Sequence, residues 1–217
     1  QASQTQRAGR AGRLEAGICW HLISQEQAER GATHQVPEIL SSDLSSLWLS
    51  ILQWGCRDIN QLSWLDTPTP AAINAAKTLL QRLGAIDNQG GLTSRGVRMA
   101  QWGIDPRLAA ILDYASEKSE HHLATAARLC AILEQPPRDR EINLEWLIQQ
   151  KNHQWSQREK QLLQQCKGQC RPELLASLLS VGFADRIAKN RDNQGRFRLA
   201  NGQGAMKIGR ASCRERV

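Results

Sequence analysis

Residues 69–94 read TPAAINAAKTLLQRLGAIDNQGGLTS, and this stretch decides the fold of its part of the chain. Apolar residues recur at helical spacing over residues 72–83, and Thr69 is a suitable N-cap for that helix. After Gly84 the pattern changes to two short segments around a glycine-rich turn at residues 88–91, which predicts a small hairpin. A helix followed directly by a hairpin is typical of a winged helix.

The residues before this stretch favour the same interpretation. Pro37 opens a long amphipathic run that predicts one helix, and Gly55 is a plausible C-cap for it. Its apolar stripe consists of Leu40, Leu44, Leu47, Trp48, Ile51 and Leu52, with Trp54 at the edge. A second short helix fits Ile59 to Trp64. Three helices and a hairpin within about seventy residues have the order of a winged helix, although a generic small α+β bundle would have the same order.

From Pro106 onward the pattern is almost wholly helical. Apolar stripes start at Leu108, Leu123 and Leu174, whereas residues 155–166 are polar and predict a helix at an edge. The alternation over residues 195–199 predicts a strand. The sequence thus predicts a mainly α protein with small α+β parts.

One apolar run lies outside this scheme. Residues 14–24 read LEAGICWHLIS, and the apolar residues that follow Gly17 predict a short buried strand. This strand would belong to a different structural unit from the winged helix.

Composition and charge exclude several classes of protein. The 217 residues hold 28 Lys+Arg and 21 Asp+Glu, a net charge of +7, and no window approaches eighteen consecutive apolar residues, which excludes a transmembrane helix. No charged-then-apolar secretory leader opens the chain, which starts at Gln1 and not at a methionine, so we expect a fragment of a longer protein. Six scattered cysteines predict reduced thiols and a cytoplasmic location rather than a disulfide scaffold.

The excess positive charge lies at the two ends of the chain. Residues 1–13 carry +3, and residues 171–207 hold seven basic and three acidic residues, a net charge of +4. The last ten residues, 208–217, match one reading frame of a common sequencing adapter, so we expect them to be an artefact rather than natural coding sequence.

The strongest functional signal is QRAGRAGR at residues 6–13. Three arginines at a spacing of three can project from one helix face, and Gly9 and Gly12 would let a partner or a phosphate approach closely. Arginine suits phosphate because its planar guanidinium stays charged and donates two parallel hydrogen bonds. The alternative is a basic, glycine-rich loop that binds a nucleic-acid backbone or is merely solvated.

QRAGRAGR resembles motif VI of superfamily 2 helicases in the form that DEAH-box enzymes use. The sequence around it, SQTQRAGRAGRLEAGICWHL, is similar to the bacterial ATP-dependent helicases of the HrpB type. The similarity continues through PEILSSDLSSLWLSILQWG, LSWLDTPTP, LLQRLGAID, GGLTSRGVRMA, DPRLAAIL and ADRIAKNR to GRFRLANG, and it covers residues 1–207.

This resemblance implies an architecture. Residues 1–35 would be the end of the second RecA-like α/β motor domain, and residues 36–105 a winged helix. Residues 106–170 would be a helical ratchet-type domain, and residues 171–207 the start of a C-terminal module.

The resemblance also implies a site. ATP would lie between two motor domains with Mg²⁺, and Gln6, Arg10 and Arg13 would reach its γ-phosphate, while Arg7 would support the motif through local ion pairs. The 217 residues contain neither a phosphate-binding P-loop nor an Asp-Glu-Ala-His tetrad. This chain alone is therefore expected to be inactive and to need the missing N-terminal motor domains in cis.

A single nucleic-acid strand is the implied partner, with RNA favoured over DNA and no membrane involved. Candidate contacts are Trp155 as a stacking platform and the cations around a turn in residues 171–207, namely Arg186, Lys189, Arg191, Arg196 and Arg198. These cations could instead be a solvated surface or could contact a further module. Trp48 and Trp54 are expected in the core.

Two further alternatives bear on function. Cys166 and Cys170 have the spacing of half a zinc site, but without a second ligand pair we expect ordinary thiols and no metal. A winged-helix DNA-binding regulator is the competing function, and the motif at residues 6–13 distinguishes the two because a regulator needs no γ-phosphate sensor.

Overall fold

The computed structural model describes residues 2–30, 36–137, 143–163, 166–192 and 195–206. Within these ranges the chain is mainly α-helical and carries one small antiparallel sheet. The helices are α1 (Ala2–Ala11), α2 (Gln25–Arg30), α3 (Glu38–Ser41), α4 (Ser45–Gln53), α5 (Pro70–Arg82), α6 (Ser94–Gln101), α7 (Pro106–Ser116), α8 (Glu120–Glu134), α9 (Leu144–Leu147), α10 (His153–Leu162) and α11 (Leu175–Gly182). Single 3₁₀ turns lie at Ile59–Gln61, Pro172–Leu174 and Ala184–Arg186, and the strands are β1 (Ala188–Asn190), β2 (Arg196–Leu199) and β3 (Gly204–Met206).

The stretch at residues 69–94 folds as its pattern predicts. The Thr69 hydroxyl accepts a hydrogen bond from the amide of Ala72 at 3.2 Å, and α5 starts at the next residue. The hairpin is confirmed as a minimal one, in which Ile86 and Leu92 form a single antiparallel bridge. The Asp87 carboxylate stabilises the turn by accepting hydrogen bonds from the amides of Gln89 and Gly91, each 2.8 Å long.

Helix α6 follows the hairpin at once and was not predicted. Its N-cap is Thr93, whose hydroxyl accepts from the amide of Gly96 at 3.0 Å. Gly96 lies so close to the carbonyl of Ala85 that a methyl group at this position would overlap it. The absence of a side chain therefore allows α6 to pack directly onto the strand segment of the hairpin.

The single helix predicted from Pro37 to Gly55 is wrong in one respect, because it is broken into α3 and α4. Asp43 lies in the break, and its carboxylate accepts hydrogen bonds from both the amide and the hydroxyl of Ser45. This side chain competes with helix continuation and starts a new helix instead. The predicted end is confirmed, since Gly55 has a φ of +94°.

The apolar side chains form two cores that meet at α7. The first core joins α4, α5 and α6, and it includes Trp48, Leu52, Ile73, Leu80 and Met99. The second core joins α7, α8, α10 and α11, and it includes Ile111, Leu112, Leu129, Trp155 and Leu178. Ala109 and Ala110 of α7 belong to the first core, whereas Leu108 and Ile111 belong to the second. Helix α7 therefore contributes side chains to both cores.

An ion pair reinforces the contact between α6 and α7. The Asp113 carboxylate is buried, and Arg98 donates to both of its oxygens at 2.7 and 3.2 Å. Because Asp113 has a cationic partner, its charge can be buried next to the apolar core. This pair ties α6 to α7.

The prediction of a buried strand in residues 14–24 is wrong. Residues 16–21 have no regular structure, and Leu14, Ile18, Trp20 and Leu22 are exposed. A buried strand needs a neighbouring strand and an apolar surface to cover it, and no described residue supplies either to this segment. The apolar run therefore remains uncovered within the part of the chain that the structure describes.

The strand predicted at residues 195–199 is confirmed as β2. It is the central strand of the sheet, with β1 and β3 on either side, and both pairings are antiparallel. None of the described helices is long and apolar enough to cross a membrane.

Candidate functional site

The arginine-rich motif lies at the end of α1. Gln6 and Arg10 are four residues apart within the helix and share one face, and both side chains are exposed. Arg13 follows the last helical residue, Ala11, so the prediction that all three arginines project from one helix face is wrong for Arg13. The glycine at position 12 ends the helix and turns the chain before Arg13.

The surroundings of the motif are open. A methyl group at Gly9 or Gly12 would have no atom within 4 Å, which leaves room for a ligand to approach the backbone. Within the described ranges no carboxylate forms an ion pair with Arg7, Arg10 or Arg13. The local ion pair expected of Arg7 is thus not found there, and the guanidinium groups are available to an outside anion.

The second basic cluster is ordered by the sheet. Lys189 is paired with Arg198 across β1 and β2. Two positions further along the ladder Arg191 lies opposite Arg196, and the Arg191 amide donates to the Arg196 carbonyl at 2.8 Å. Because side chains alternate between the two faces of a strand, all four cations lie on one face of the sheet. All four are exposed. We call this surface, formed by Lys189, Arg191, Arg196 and Arg198, the cationic face.

Asp192 reduces the positive charge of the cationic face. Its carboxylate forms an ion pair with Arg196 at 2.7 Å, within the turn that joins β1 to β2. Residues 193 and 194 of that predicted turn lie outside the described residues. Arg196 is therefore already partly neutralised, and we expect it to contribute less to binding an anion than its three neighbours.

Arg186, predicted to belong to the same cluster, lies elsewhere. It is in the 3₁₀ turn before β1, and its guanidinium lies over the ring of Phe183 at 5.0 Å from the ring centre. Arg107 of α7 also lies over this ring, at 5.3 Å. The structure thus brings together four of the five predicted cations and places the fifth against an aromatic side chain.

Arg107 forms the best-defined ion pair in this region. Its guanidinium donates two hydrogen bonds to the Asp185 carboxylate, at 2.6 and 2.9 Å, and a third to the carbonyl of Gly182 at 2.9 Å. These hydrogen bonds lower the pKa of Asp185 and raise that of Arg107. Sequence reasoning missed this pair because 78 residues separate its members.

The lowered pKa of Asp185 predicts a pH dependence of stability. The carboxylate contributes stability that is fully present above its unfolded pKa of about 3.9 and is lost as the pH falls through its lower folded value. Replacing Asp185 with asparagine should reduce the free energy of unfolding by about 1–3 kcal/mol at pH 7. In urea titrations, this difference between wild type and variant should be constant above about pH 5 and shrink below about pH 4. A difference that persists unchanged to pH 2 would contradict it.

The prediction of Trp155 as an exposed stacking platform is wrong. Only 4% of its surface is exposed, and its indole N–H donates to the carbonyl of Gln135 at 2.9 Å. Trp54 deviates in the opposite sense, because it is 80% exposed rather than in the core, whereas Trp48 is buried as predicted. The polar residues around Trp155 in the sequence favoured a surface position for its side chain. However, α10 has a buried face, which also carries Leu162, seven residues after Trp155.

The cysteine pair behaves as two separate thiols. Cys166 donates to the carbonyl of Glu120 at 3.4 Å and Cys170 to that of Ala124 at 3.6 Å, so both anchor a loop to the start of α8. Burial raises the pKa of Cys170 to about 11. Among the residues that the structure describes, no three His, Cys, Asp or Glu side chains are grouped so that they could hold a metal ion.

Comparison with known proteins relates this chain to a group of helicases. It is 52% identical over 209 residues to the ATP-dependent RNA helicase HrpB of Escherichia coli, a match that covers 95% of this chain and 26% of the relative. A probable ATP-dependent RNA helicase of Saccharomyces cerevisiae, DHR2, is 36% identical over 117 residues, which is 54% of this chain and 16% of the relative. No protein-family model matches the chain.

Solved structures agree with the sequence comparison. A crystal structure described as the E. coli DExH-box NTPase HrpB superposes with a TM-score of 0.78 at 51% identity, over 95% of this chain and 26% of that one. Another, described as the Escherichia coli DEAH/RHA helicase HrpB, gives a TM-score of 0.82 at 51% identity, over 94% and 26%. The chain spans about a quarter of the length of these relatives, and nothing in the comparisons favours a winged-helix regulator. This chain therefore corresponds to a fragment of a DEAH-box helicase of the bacterial HrpB type.

Proposed function

We propose that this chain is the part of an ATP-dependent RNA helicase that senses ATP through motif VI and holds a single strand through its C-terminal elements. The observation that carries the proposal is the motif itself. Gln6 and Arg10 share an exposed helix face, Arg13 follows the helix end, and the chain is 52% identical to a protein named as an ATP-dependent RNA helicase.

The donor set of the motif fits a triphosphate. Guanidinium and amide N–H groups donate to phosphate oxygens, and guanidinium groups are most valuable where negative charge grows during phosphoryl transfer. Arg10 and Arg13 would meet the γ-phosphate, and Gln6 would orient toward it from the same helix face. When ATP and Mg²⁺ are bound, the metal ion neutralises phosphate charge. By the resemblance, its protein ligands would come from an Asp-Glu-Ala-His tetrad, which the 217 residues do not contain.

The proposed division into units follows the same resemblance. Residues 1–35 would complete the second motor domain, and residues 36–105, 106–170 and 171–207 would form the winged helix, the ratchet-type domain and the start of the C-terminal module. The two apolar cores that meet at α7 support a boundary near residue 105. The exposed apolar residues of segment 14–24 support the idea that this segment is covered by the rest of the motor domain.

The location is part of the same proposal. All the cysteines in the described ranges are free thiols, which favours a reducing compartment such as the cytoplasm.

The direct test of function uses the complete protein that carries this chain. We expect it to hydrolyse ATP faster when single-stranded RNA is added, with a smaller stimulation by single-stranded DNA of the same sequence. No stimulation by either strand would contradict the helicase proposal.

The cationic face makes a separate prediction about strand binding. Replacing Arg191, Arg196 and Arg198 together with alanine should weaken single-strand binding about equally for all sequences, because phosphates carry no sequence information. The slope of log affinity against log salt should become shallower by up to about 0.7 per lost phosphate contact. Fluorescence anisotropy at a series of salt concentrations measures both effects.

A matched control separates this face from total charge. Arg57, Arg82 and Lys118 are exposed cations outside the sheet, so replacing these three with alanine removes the same charge. We expect the control variant to keep the slope of the wild type to within a few tenths of a unit. If the control variant and the sheet variant reduce the salt slope by the same amount, strand affinity depends on the net charge of the protein and not on the cationic face.

A further inference from the structure

Asp185 connects three parts of the molecule that are distant in sequence. It lies in the 3₁₀ turn Ala184–Arg186, between α11 and the first strand of the sheet. Its carbonyl accepts a hydrogen bond from the amide of Asn201, in the turn between β2 and β3, at 3.2 Å. Next to it, the Ile187 carbonyl accepts from the amide of Ala200 at 2.8 Å. The backbone at residue 185 thus holds the end of the sheet.

The side chain of Asp185 reaches in the other direction, to the helical segment. Its carboxylate accepts both hydrogen bonds from Arg107, which belongs to the first turn of α7. Both members of the pair are largely buried, with 17% of the Arg107 and 16% of the Asp185 side chain exposed. A bidentate pair of this kind fixes orientation as well as distance.

The helices on either side leave little freedom at this point. A methyl group at Gly182, the last residue of α11, would lie 2.7 Å from the carbonyl oxygen of Arg107, so the two backbones are in close contact. The guanidinium of Arg107 also covers one aromatic ring, that of Phe183, which follows α11 directly. The pair therefore lies in a packed joint between α7, α11 and the sheet.

We propose that Asp185 is a positioning residue for strand binding, because its pair with Arg107 holds the cationic face in a fixed orientation relative to the helical segment. This inference rests on the proposed function, since it assumes that the cationic face meets a strand. Asp185 carries a negative charge and is largely buried, so it acts through the position of the sheet and not by contact with phosphate. A preorganised surface binds more tightly because less order has to be created on binding.

The test compares Asp185→Asn with a matched variant in the complete protein. Asp185→Asn keeps the size of the side chain but removes its charge and one acceptor oxygen. Glu159→Gln is the control, because Glu159 pairs with Arg128 in the same helical segment, at 3.2 Å and with similar exposure of 22% and 15%, but it lies between α10 and α8 and not at the sheet. Both variants remove the carboxylate charge of a largely buried ion pair, which is bidentate at Asp185 and a single contact at Glu159.

Affinity for single-stranded RNA and its salt slope are measured for both variants by fluorescence anisotropy. Asp185→Asn should weaken binding by between about twofold and thirtyfold, which corresponds to the usual range of coupling through a packed joint. The salt slope should stay at the wild-type value, because every cation is still present. Amide hydrogen exchange in β1 and β2 should become faster, whereas exchange in α8 should not change. Glu159→Gln should leave affinity and slope unchanged.

Conservative variants keep the proposal testable if Asp185→Asn folds poorly. Asp185→Glu retains the charge and should restore most of the affinity, and Arg107→Lys, which keeps charge but loses the bidentate geometry, should resemble Asp185→Asn. Wild-type affinity in both Asp185→Asn and Arg107→Lys would overturn the inference. So would an equal loss of affinity in Glu159→Gln, which would show that any damage to the helical segment has this effect.

Failure of the proposed function gives a different pattern. If the cationic face does not meet the strand, replacing Arg191, Arg196 and Arg198 leaves the salt slope unchanged, whatever Asp185→Asn does. If the face meets the strand but the joint does not position it, the triple replacement changes the slope and Asp185→Asn has no effect on affinity.

Discussion

Replacing Arg10 with alanine in the complete protein that carries this chain should reduce ATP hydrolysis by about a thousandfold or more, because in the proposed function Arg10 meets the γ-phosphate, and such an arginine contributes about 10³–10⁵ to the rate of phosphoryl transfer. Single-strand affinity, measured by direct titration without nucleotide, should stay close to the wild-type value. The motif is on α1, whereas the cationic face is formed by residues 189–198. Loss of catalysis and retention of binding would therefore assign the two basic ends of the chain to two separate tasks.

Two further variants sharpen this prediction. Arg10→Lys keeps the positive charge but loses the planar fork, so most of the loss should remain. Arg30→Ala removes another exposed arginine, from α2, where it pairs with Glu26 one turn away, and it should leave ATP hydrolysis nearly unchanged. If Arg10→Ala instead lowers ATPase activity and strand affinity by the same large factor, Arg10 serves strand binding and the assignment is wrong. Arg13→Ala is expected to behave as Arg10→Ala does.

Local signals explain how much of the fold the sequence predicts. The hydroxyl of Thr69, the proline after it and the glycine turn at residues 88–91 determine conformation within a few residues, and the structure follows all three. Helix α6 has an equally local signal, a threonine cap at residue 93, but the sequence pattern assigned that residue to the hairpin. Asp43 likewise signals a break in an apolar stripe that looks continuous, because its carboxylate accepts a hydrogen bond from the amide of Ser45.

The features that the sequence did not predict have a different cause, because they depend on which residues pack against or pair with a given side chain. The apolar run at residues 14–24 signals that something should cover it, but periodicity does not show whether the covering surface is in the same chain. The clustering of Lys189, Arg191, Arg196 and Arg198 was predicted, but which cations face each other depends on the register of β1 on β2, which brings Lys189 opposite Arg198. The pairing of Arg107 with Asp185 joins segments with no shared pattern. Long-range partners of this kind depend on tertiary structure, which composition and spacing do not encode directly.

The aromatic residues show the same limit most clearly. Trp155 stands in a polar stretch and Trp54 at the edge of an apolar stripe, yet Trp155 is buried and Trp54 is exposed. One signal was available for Trp155: seven residues after it, at the spacing of two helical turns, Leu162 is the next large apolar residue on the same face of α10. A single pair of apolar positions is enough to attach a polar helix to a core when one member is as large as tryptophan.

The burial of Trp155 leads to a large expected effect on stability. Trp155→Ala should reduce the free energy of unfolding by about 3–5 kcal/mol, because it leaves a cavity in the second core and deprives the Gln135 carbonyl of its donor. Trp54→Ala removes the same side chain from an exposed position and should change stability by no more than about 0.5 kcal/mol. Urea titration measures both free energies, and anisotropy measures strand affinity under conditions in which each variant is folded. A folded Trp155→Ala variant with normal stability and weakened strand binding would mean that this side chain leaves the core to stack on a base. Because a buried tryptophan with a satisfied N–H gains nothing by leaving an apolar core, we expect the reverse result, a loss of stability with unchanged affinity per folded molecule.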